Sequence, residues 1–150
     1  MAKIILVYAS MSGNTEVMAL EIAKGIREAG EEVEVMEAFE TDASILSNYD
    51  GILIGTYTWG DGDLPDELLD FHDELHDLDL TGKYAAVFGS FDWSYMDGGI
   101  AVDKVRDTLQ KRGAEIVLED LKVELDPAPE ERVQCKNFGI QFVKEMLKIF

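Results

Sequence analysis

Short apolar runs alternate along the chain with longer stretches in which apolar residues recur at helical spacing. Continuously apolar runs are typical of strands buried on both faces, whereas alternation of apolar and charged residues indicates a strand nearer the edge of a sheet. The predicted strands are 4–8, 33–37, 51–55, 84–88 and a fifth in two pieces, 116–118 and 121–125, bent between them. The second has the alternating pattern, and the composition of the third predicts the most central position.

Helical spacing and capping residues predict five helices between and after these strands. The first begins at a cap provided by Asn14 or Thr15 and ends near Ala29, ahead of Gly30. The others are a short helix over 42–46, one with Pro65 in its first turn that ends near His76, one that ends at Gly113, and one opened by Pro129. This alternation predicts one domain over 1–150, an open and mostly parallel α/β sheet with helices on both faces.

Ligands of open α/β sheets bind beyond the carboxyl ends of the strands, where the winding reverses. The first loop after such a strand is Ser10-Met11-Ser12-Gly13-Asn14-Thr15, which combines hydroxyl and amide side chains with a glycine and a helix N-terminus. These features suit a phosphate, although a plain capped turn has the same composition. The loop has neither the Walker pattern nor the glycine pattern of dinucleotide sites.

The loops after the third and fourth predicted strands are rich in aromatic residues. The second loop is Thr56-Tyr57-Thr58-Trp59-Gly60-Asp61-Gly62-Asp63, and its tryptophan is either a lid over the core or a platform for a flat ligand. The third loop is Gly89-Ser90-Phe91-Asp92-Trp93-Ser94-Tyr95-Met96-Asp97-Gly98-Gly99. Together the three loops predict a pocket for a planar ring that carries a phosphate. A Ser-His-Asp triad is not expected. The histidines, His72 and His76, lie on the helix that follows the third strand, away from the three loops.

The charge balance limits the classes of partner. Thirteen basic residues face 31 acidic ones, and the net charge is -18. Such a chain repels nucleic acids and anionic membrane surfaces and favours basic protein partners. The sequence contains no apolar run of the roughly 18 residues that a membrane span needs, and its first residues are typical of a strand rather than a signal peptide. We therefore expect a cytoplasmic protein.

Three further features have competing interpretations. Nine acidic residues and no basic ones lie between Asp61 and Asp79. Most of these acids are expected on a solvated helix face, and some could steer basic partners. His72 and His76 could share a metal, but solvated helix residues are the favoured interpretation. Cys135 lies on the apolar stripe of the last helix, so we expect a buried, inert thiol.

The three loops together resemble those of the flavodoxin family. The first loop is similar to its phosphate loop, with Met11 where the family usually has a hydroxyl. Thr58-Trp59-Gly60-Asp61 and the stretch from Phe88 to Tyr95 resemble its two flavin loops. The resemblance covers Lys3 to about Leu147, and the fifth strand lacks a long inserted loop, which indicates the short-chain type. It implies a three-layer fold whose five-stranded parallel sheet has the order 2-1-3-4-5.

The resemblance also implies FMN, held non-covalently, as the cofactor. The residues that would bind it are Ser10, Met11, Ser12, Gly13, Asn14, Thr15, Thr56, Tyr57, Thr58, Trp59, Gly60, Asp61, Ser90, Phe91, Asp92, Tyr95 and Gly99. Ser10, Ser12, Asn14 and Thr15, with local backbone N–H groups, would hold the phosphate. Trp59 and Tyr95 would cover the two faces of the ring, and its edge would be lined by Ser90, Phe91, Asp92 and Gly99. Metal ligands and catalytic residues are not implied.

A flavodoxin would be a monomeric, low-potential carrier of single electrons. Its transient partners would be basic redox proteins, such as a flavodoxin/ferredoxin-NADP reductase, and an acceptor enzyme. The alternative is an NAD(P)H-dependent FMN or quinone reductase on the same fold, but we expect no basic residue near the loops to receive the phosphate of the nucleotide. A signalling receiver domain would need acidic residues after the first strand and an aspartate in place of Thr56.

Overall fold

The computed structural model describes residues 3–10, 13–58, 64–91, 99–124 and 126–149. Its strands are β1 (Ile4–Tyr8), β2 (Val33–Glu37), β3 (Gly51–Tyr57), β4 (Tyr84–Phe91), β5 (Glu115–Ile116) and β6 (Leu121–Glu124). Its α-helices are α1 (Asn14–Glu28), α2 (Asp66–Leu75), α3 (Ile100–Lys111) and α4 (Pro129–Ile149). Two 3₁₀ helices, Ala38–Glu40 and Ala43–Asn48, connect β2 to β3.

The sheet has the order β2-β1-β3-β4-β5, and all of its strand pairs are parallel. The predicted order, the edge position of β2 and the central position of β3 are therefore confirmed. Buried side chains of α1 and α4 pack on one face of the sheet, and those of α2 and α3 pack on the other. Each face thus has its own apolar layer, and the predicted three-layer architecture is confirmed.

The fifth strand position is interrupted rather than bent. Glu115 pairs with Tyr84 and Leu121 with Phe88, so both β5 and β6 extend along β4. Residues 117–120 separate the two pieces, and Asp120 forms a 2.6 Å ion pair with Arg106 of α3. The interruption thus brings a carboxylate of the edge strand to the neighbouring helix.

Two helix predictions need correction. The short helix predicted over 42–46 is the 3₁₀ helix Ala43–Asn48. Its buried residues, Ala43 and Leu46, are three positions apart, the spacing at which 3₁₀ side chains align on one face. Pro65 precedes the first residue of α2 instead of lying in its first turn. Within the described parts of the chain, no helix is both long enough and apolar enough to cross a membrane.

The expectation that both histidines are solvated is wrong for His72. This side chain is half-buried, and its Nε2 lies 2.8 Å from Thr108 Oγ1. Because the Thr108 hydroxyl donates to the carbonyl of Lys104, His72 Nε2–H is the donor in this contact. Burial lowers the pKa of His72, so the imidazole stays neutral and links α2 to α3. The described residues contain no His, Cys, Asp and Glu group that could hold a metal ion.

Cys135 is buried in the layer between the sheet and the helices α1 and α4, as predicted. Burial raises the pKa of its thiol to about 12. The reactive thiolate is therefore scarce near neutral pH, in agreement with an inert cysteine.

Helices α1 and α4 approach closely because α4 contains a glycine at the contact. A Cβ atom at Gly139 would overlap the carbonyl oxygen of Ile22 on α1. Backbone atoms cannot move aside as the end of a flexible side chain can. A side chain at this position would therefore force the two helices apart.

We expect Gly139→Ala to lower the free energy of unfolding by about 1–3 kcal/mol, the usual cost of overpacking a core. In an uncrowded helix the same change would raise stability by about 1 kcal/mol, so the sign of the effect tests the packing. Urea unfolding of the protein measures it. Lys144→Ala, an exposed change on the same helix, should be nearly neutral. Equal or higher stability of Gly139→Ala would contradict the close contact.

Candidate functional site

The three predicted loops leave the sheet at the same edge. Strands β1, β3 and β4 are adjacent and parallel, with Tyr8 opposite Gly55 and Tyr57 opposite Ser90. The ladder runs further than predicted, so five residues expected in loops lie in strands: Thr56, Tyr57, Gly89, Ser90 and Phe91. The extension has a physical cause, because β6 supplies β4 with a second partner opposite Ser90 and Phe91.

The first loop leads into α1 through a glycine that adopts a left-handed conformation. Gly13 is the N-cap residue, with φ 93°. Ser10 Oγ accepts hydrogen bonds from the N–H groups of Gly13, at 3.1 Å, and Glu16, at 3.3 Å. The prediction that Asn14 or Thr15 caps α1 is therefore wrong. The local sequence predicted a capping side chain at the first residues of the helix, but the capping hydroxyl belongs to Ser10, two residues after β1.

This arrangement leaves backbone donors available at the start of α1. The N–H groups of Asn14 and Thr15 have no acceptor among the described residues. They lie at the positive end of the helix dipole, where anions bind well. A Cβ atom at Gly13 would meet nothing within 4 Å, so there is open space beside the loop.

A buried pair of hydroxyl groups joins the first loop to β4. Thr15 Oγ1 and Ser90 Oγ are 2.8 Å apart, and the two residues are only 1% and 4% exposed. The Thr15 side chain, predicted to hold a phosphate, is thus engaged by Ser90, itself predicted to lie at the edge of the ring. The pair fixes the start of α1 against the sheet.

Thr58 joins the second loop to the helix that follows the third loop. Its N–H donates to the carbonyl of Ser90, at 3.3 Å, and its Oγ1 accepts from the N–H of Ala101, also at 3.3 Å. Gly99, the N-cap residue of α3, has φ 88° and no side chain to cap the helix. Thr58 therefore caps α3 from a different part of the chain.

Two other predicted site residues have side chains that serve the scaffold. The hydroxyl of Tyr57 donates to Glu67 Oε2 of α2, at 2.7 Å. Burial, reinforced by this carboxylate, raises the pKa of Tyr57 far above its usual range. The buried hydroxyl of Thr56 donates to the carbonyl of Tyr57, at 3.0 Å. Tyr57 thus holds the end of β3 against α2.

A basic residue lies against the end of the third loop, contrary to expectation. A Cβ atom at Gly99 would be 3.1 Å from Cδ of Lys122, so the aliphatic part of this side chain lies across the glycine. Lys122 Nζ forms a 2.9 Å ion pair with Asp103 of α3. Its charge is therefore already compensated. Sequence reasoning missed Lys122 because it lies on β6, more than twenty positions further along the chain.

Tyr8 is another residue that the sequence did not single out. Its hydroxyl, at the end of β1, donates to Glu16 Oε2 at 2.7 Å and lies 3.3 Å from Glu37 Oε1. The sequence signal that could have identified Tyr8 is a tyrosine at the end of a buried strand with acidic residues nearby. The remaining predicted site residues, Met11, Ser12, Trp59, Gly60, Asp61, Asp92 and Tyr95, lie outside the described parts of the chain.

Comparison with known proteins identifies the family to which this architecture belongs. A family model described as Flavodoxin matches residues 6–139. Probable flavodoxin 2 of Bacillus subtilis is 50% identical over 146 residues, which is 97% of each chain. The crystal structure of oxidised flavodoxin 1 from Bacillus cereus is 56% identical, superimposes with a TM-score of 0.93, and is matched over 95% of this chain and 98% of that one.

The chain belongs to the flavodoxin family. A further relative, the flavodoxin of Maridesulfovibrio salexigens, is 35% identical over 89% of this chain and 93% of its own length. Flavodoxins are electron-transfer proteins that bind FMN, and FMN is the cofactor of this chain. The N–H groups at the start of α1, which have no acceptor among the described residues, fit the anionic end of FMN, although the first loop contains no Lys or Arg.

The hydroxyl pair yields a prediction about the stability of the apoprotein. Ser90→Ala would leave the buried Thr15 hydroxyl without a partner, so we expect a loss of about 1–3 kcal/mol in the free energy of unfolding. Thr15→Val and Ser90→Ala should couple, with the double variant losing less than the sum of the single variants. Chemical denaturation of the four apoproteins measures the cycle.

Ser47→Ala is the matched control, because Ser47 is exposed and contributes a backbone carbonyl, not its hydroxyl, to the bond with Lys83. It should leave stability unchanged. Strictly additive losses in the cycle would show that the two hydroxyls do not support each other.

Proposed function

We propose that this chain is a low-potential carrier that shuttles single electrons between a basic reductase, such as a flavodoxin/ferredoxin-NADP reductase, and an acceptor redox protein. One observation carries the proposal: at the edge where three parallel strands end, the start of α1 has amide groups with no acceptor among the described residues, and it lies beside the start of the other two loops. FMN supplies the one-electron chemistry when it is bound. The role of the protein is to bind FMN, to orient it and to screen it from solvent.

The three loops have different proposed roles in binding FMN. The N–H groups of Asn14 and Thr15, with Ser10 and Ser12, hold the phosphate, and Trp59 and Tyr95 cover the ring. The hydroxyls of Thr15, Thr58 and Ser90 support these contacts from behind, because each is engaged with a neighbouring segment.

Acid–base catalysis is not part of this proposal. His72 contacts Thr108 near the end of α3, whereas the proposed cofactor site lies at the start of that helix. The pKa of His72 is lowered by burial, and its Nε2 is already engaged as a donor. His76 bonds through Nδ1 to the carbonyl of His72. These contacts give both residues a structural role.

The helix α2 provides the proposed docking surface. Leu68, Phe71 and Leu75 bury one side of the helix. The other side is strongly acidic and exposes Asp66, Asp70, Asp73 and Glu74. Basic partners would be attracted to it in short-lived, salt-sensitive encounters.

Stepwise anaerobic reduction of the FMN-loaded protein, followed by visible absorbance, tests the electron-carrier function. We expect a long-wavelength band that rises and then falls, because a one-electron carrier accumulates the half-reduced cofactor. A direct two-electron bleach, or oxidation of NADPH without a partner reductase, would favour a flavin reductase instead.

The docking surface is tested by the rate of electron transfer from the reduced protein to cytochrome c, a small basic redox protein. We expect this rate to fall as ionic strength rises, because salt screens the attraction. Asp70→Asn with Asp73→Asn should lower the rate several-fold at low salt and weaken the salt dependence. Glu119→Gln with Glu130→Gln removes the same charge elsewhere on the surface and should have a smaller effect. Equal effects of the two pairs would remove the assignment of α2.

A further inference from the structure

The hydroxyl of Tyr8 lies between two carboxylates at the end of the sheet. Tyr8 is only 7% exposed, and its partners come from different elements: Glu16 from the first turn of α1 and Glu37 from the end of β2. The contact with Glu16 Oε2 is 2.7 Å and that with Glu37 Oε1 is 3.3 Å, so Glu16 is the principal acceptor. Burial and both carboxylates raise the pKa of Tyr8, which keeps the hydroxyl protonated as a donor.

The position of Glu16 in α1 suggests where its carboxylate would otherwise go. Gly13 is the N-cap residue, so Glu16 is the third residue of the helix. A glutamate there commonly reaches back to the N–H of the cap residue, and the helix dipole attracts its charge. In this chain Ser10 Oγ takes the N–H of Gly13 instead, and Tyr8 takes the carboxylate.

A carboxylate at the start of α1 would compete with the phosphate of FMN. The first loop has no Lys or Arg to attract the phosphate, so binding there depends on backbone donors such as the N–H groups of Asn14 and Thr15. Because Ser10 Oγ already accepts the N–H of Gly13, a released Glu16 carboxylate would turn to the neighbouring N–H groups of the first turn, and it would also repel a second anion. Its placement therefore bears directly on cofactor binding.

We propose that Tyr8 is a positioning residue for cofactor binding: its hydroxyl holds the Glu16 carboxylate away from the N-terminus of α1 and so keeps the amide donors free for the phosphate. This inference rests on the proposed phosphate site in the first loop. Glu37 is a secondary acceptor that lies opposite Tyr8 in the strand register.

The expected size of the effect follows from competition. If the released carboxylate occupied the donors for nine-tenths of the time, the apparent Kd for FMN would rise about tenfold. Riboflavin, which lacks the phosphate, would not be affected. The ratio of the two affinities therefore reports the anion site alone.

The experiment titrates the apoprotein with FMN and with riboflavin, using quenching of flavin fluorescence, and compares wild type with Tyr8→Phe. We expect Tyr8→Phe to weaken FMN binding about tenfold while riboflavin binding stays the same. Adding Glu16→Gln to Tyr8→Phe should restore FMN affinity, because the amide carries no competing charge. Adding Glu37→Gln is the matched control and should not restore it.

A second variant tests the same positioning role independently. Glu16→Asp keeps the charge but shortens the side chain, so it loses the 2.7 Å contact with Tyr8 while remaining in the first turn. We expect it, too, to weaken FMN binding relative to riboflavin.

Two results would overturn the inference. Tyr8→Phe could weaken FMN and riboflavin equally, which would mean a general structural role, or Glu16→Gln could fail to restore FMN binding. Failure of the underlying site is distinguishable, because wild-type apoprotein would then bind FMN no more tightly than riboflavin, and inorganic phosphate would not compete with FMN.

Discussion

The site depends on Ser90, which engages two of the three segments that meet at the edge of the sheet. Its hydroxyl pairs with Thr15 at the start of α1, and its carbonyl accepts the N–H of Thr58 at the end of β3. Thr58 in turn caps α3, which follows the third loop. One residue of β4 thus connects the start of α1, the proposed anion site, with both loops that would surround a flat ring. Because these hydroxyls are buried, breaking any one contact leaves a polar group without its partner.

The net charge of the chain is compatible with a proposed phosphate site that consists of neutral donors. With a net charge of -18, the protein sets up a field that opposes an anionic ligand at long range. Backbone N–H groups at a helix N-terminus still bind phosphate well, because they act at hydrogen-bond distance. The basic side chain that lies against the site, Lys122, is compensated by Asp103. The proposed acidic docking surface and the proposed phosphate site can therefore coexist in one small protein.

Period and composition were sufficient to predict an open, mostly parallel sheet with helices on both faces, the edge position of β2 and the central position of β3, whereas the full strand order came from the resemblance to the flavodoxin family. They worked because a buried parallel strand and an amphipathic helix leave periodic signals that depend on neighbours in sequence. Three predictions that failed, namely the cap of α1, the solvation of His72 and the absence of a basic residue near the loops, concern contacts between distant segments. Ser10, Thr108 and Gly99 supply those contacts, and no local pattern announces them.

The two helices that begin at the site have capping residues that the sequence around each helix start does not predict. Both α1 and α3 begin after a glycine with a left-handed φ, 93° at Gly13 and 88° at Gly99, and neither glycine has a side chain to offer. The capping hydroxyls come instead from Ser10, just after β1, and Thr58, just after β3. A cap supplied from outside the helix anchors the first turn to the sheet without filling the space beside it. That separation fixes the fold and still leaves the N–H groups of Asn14 and Thr15 without an acceptor among the described residues, as the proposed phosphate site requires.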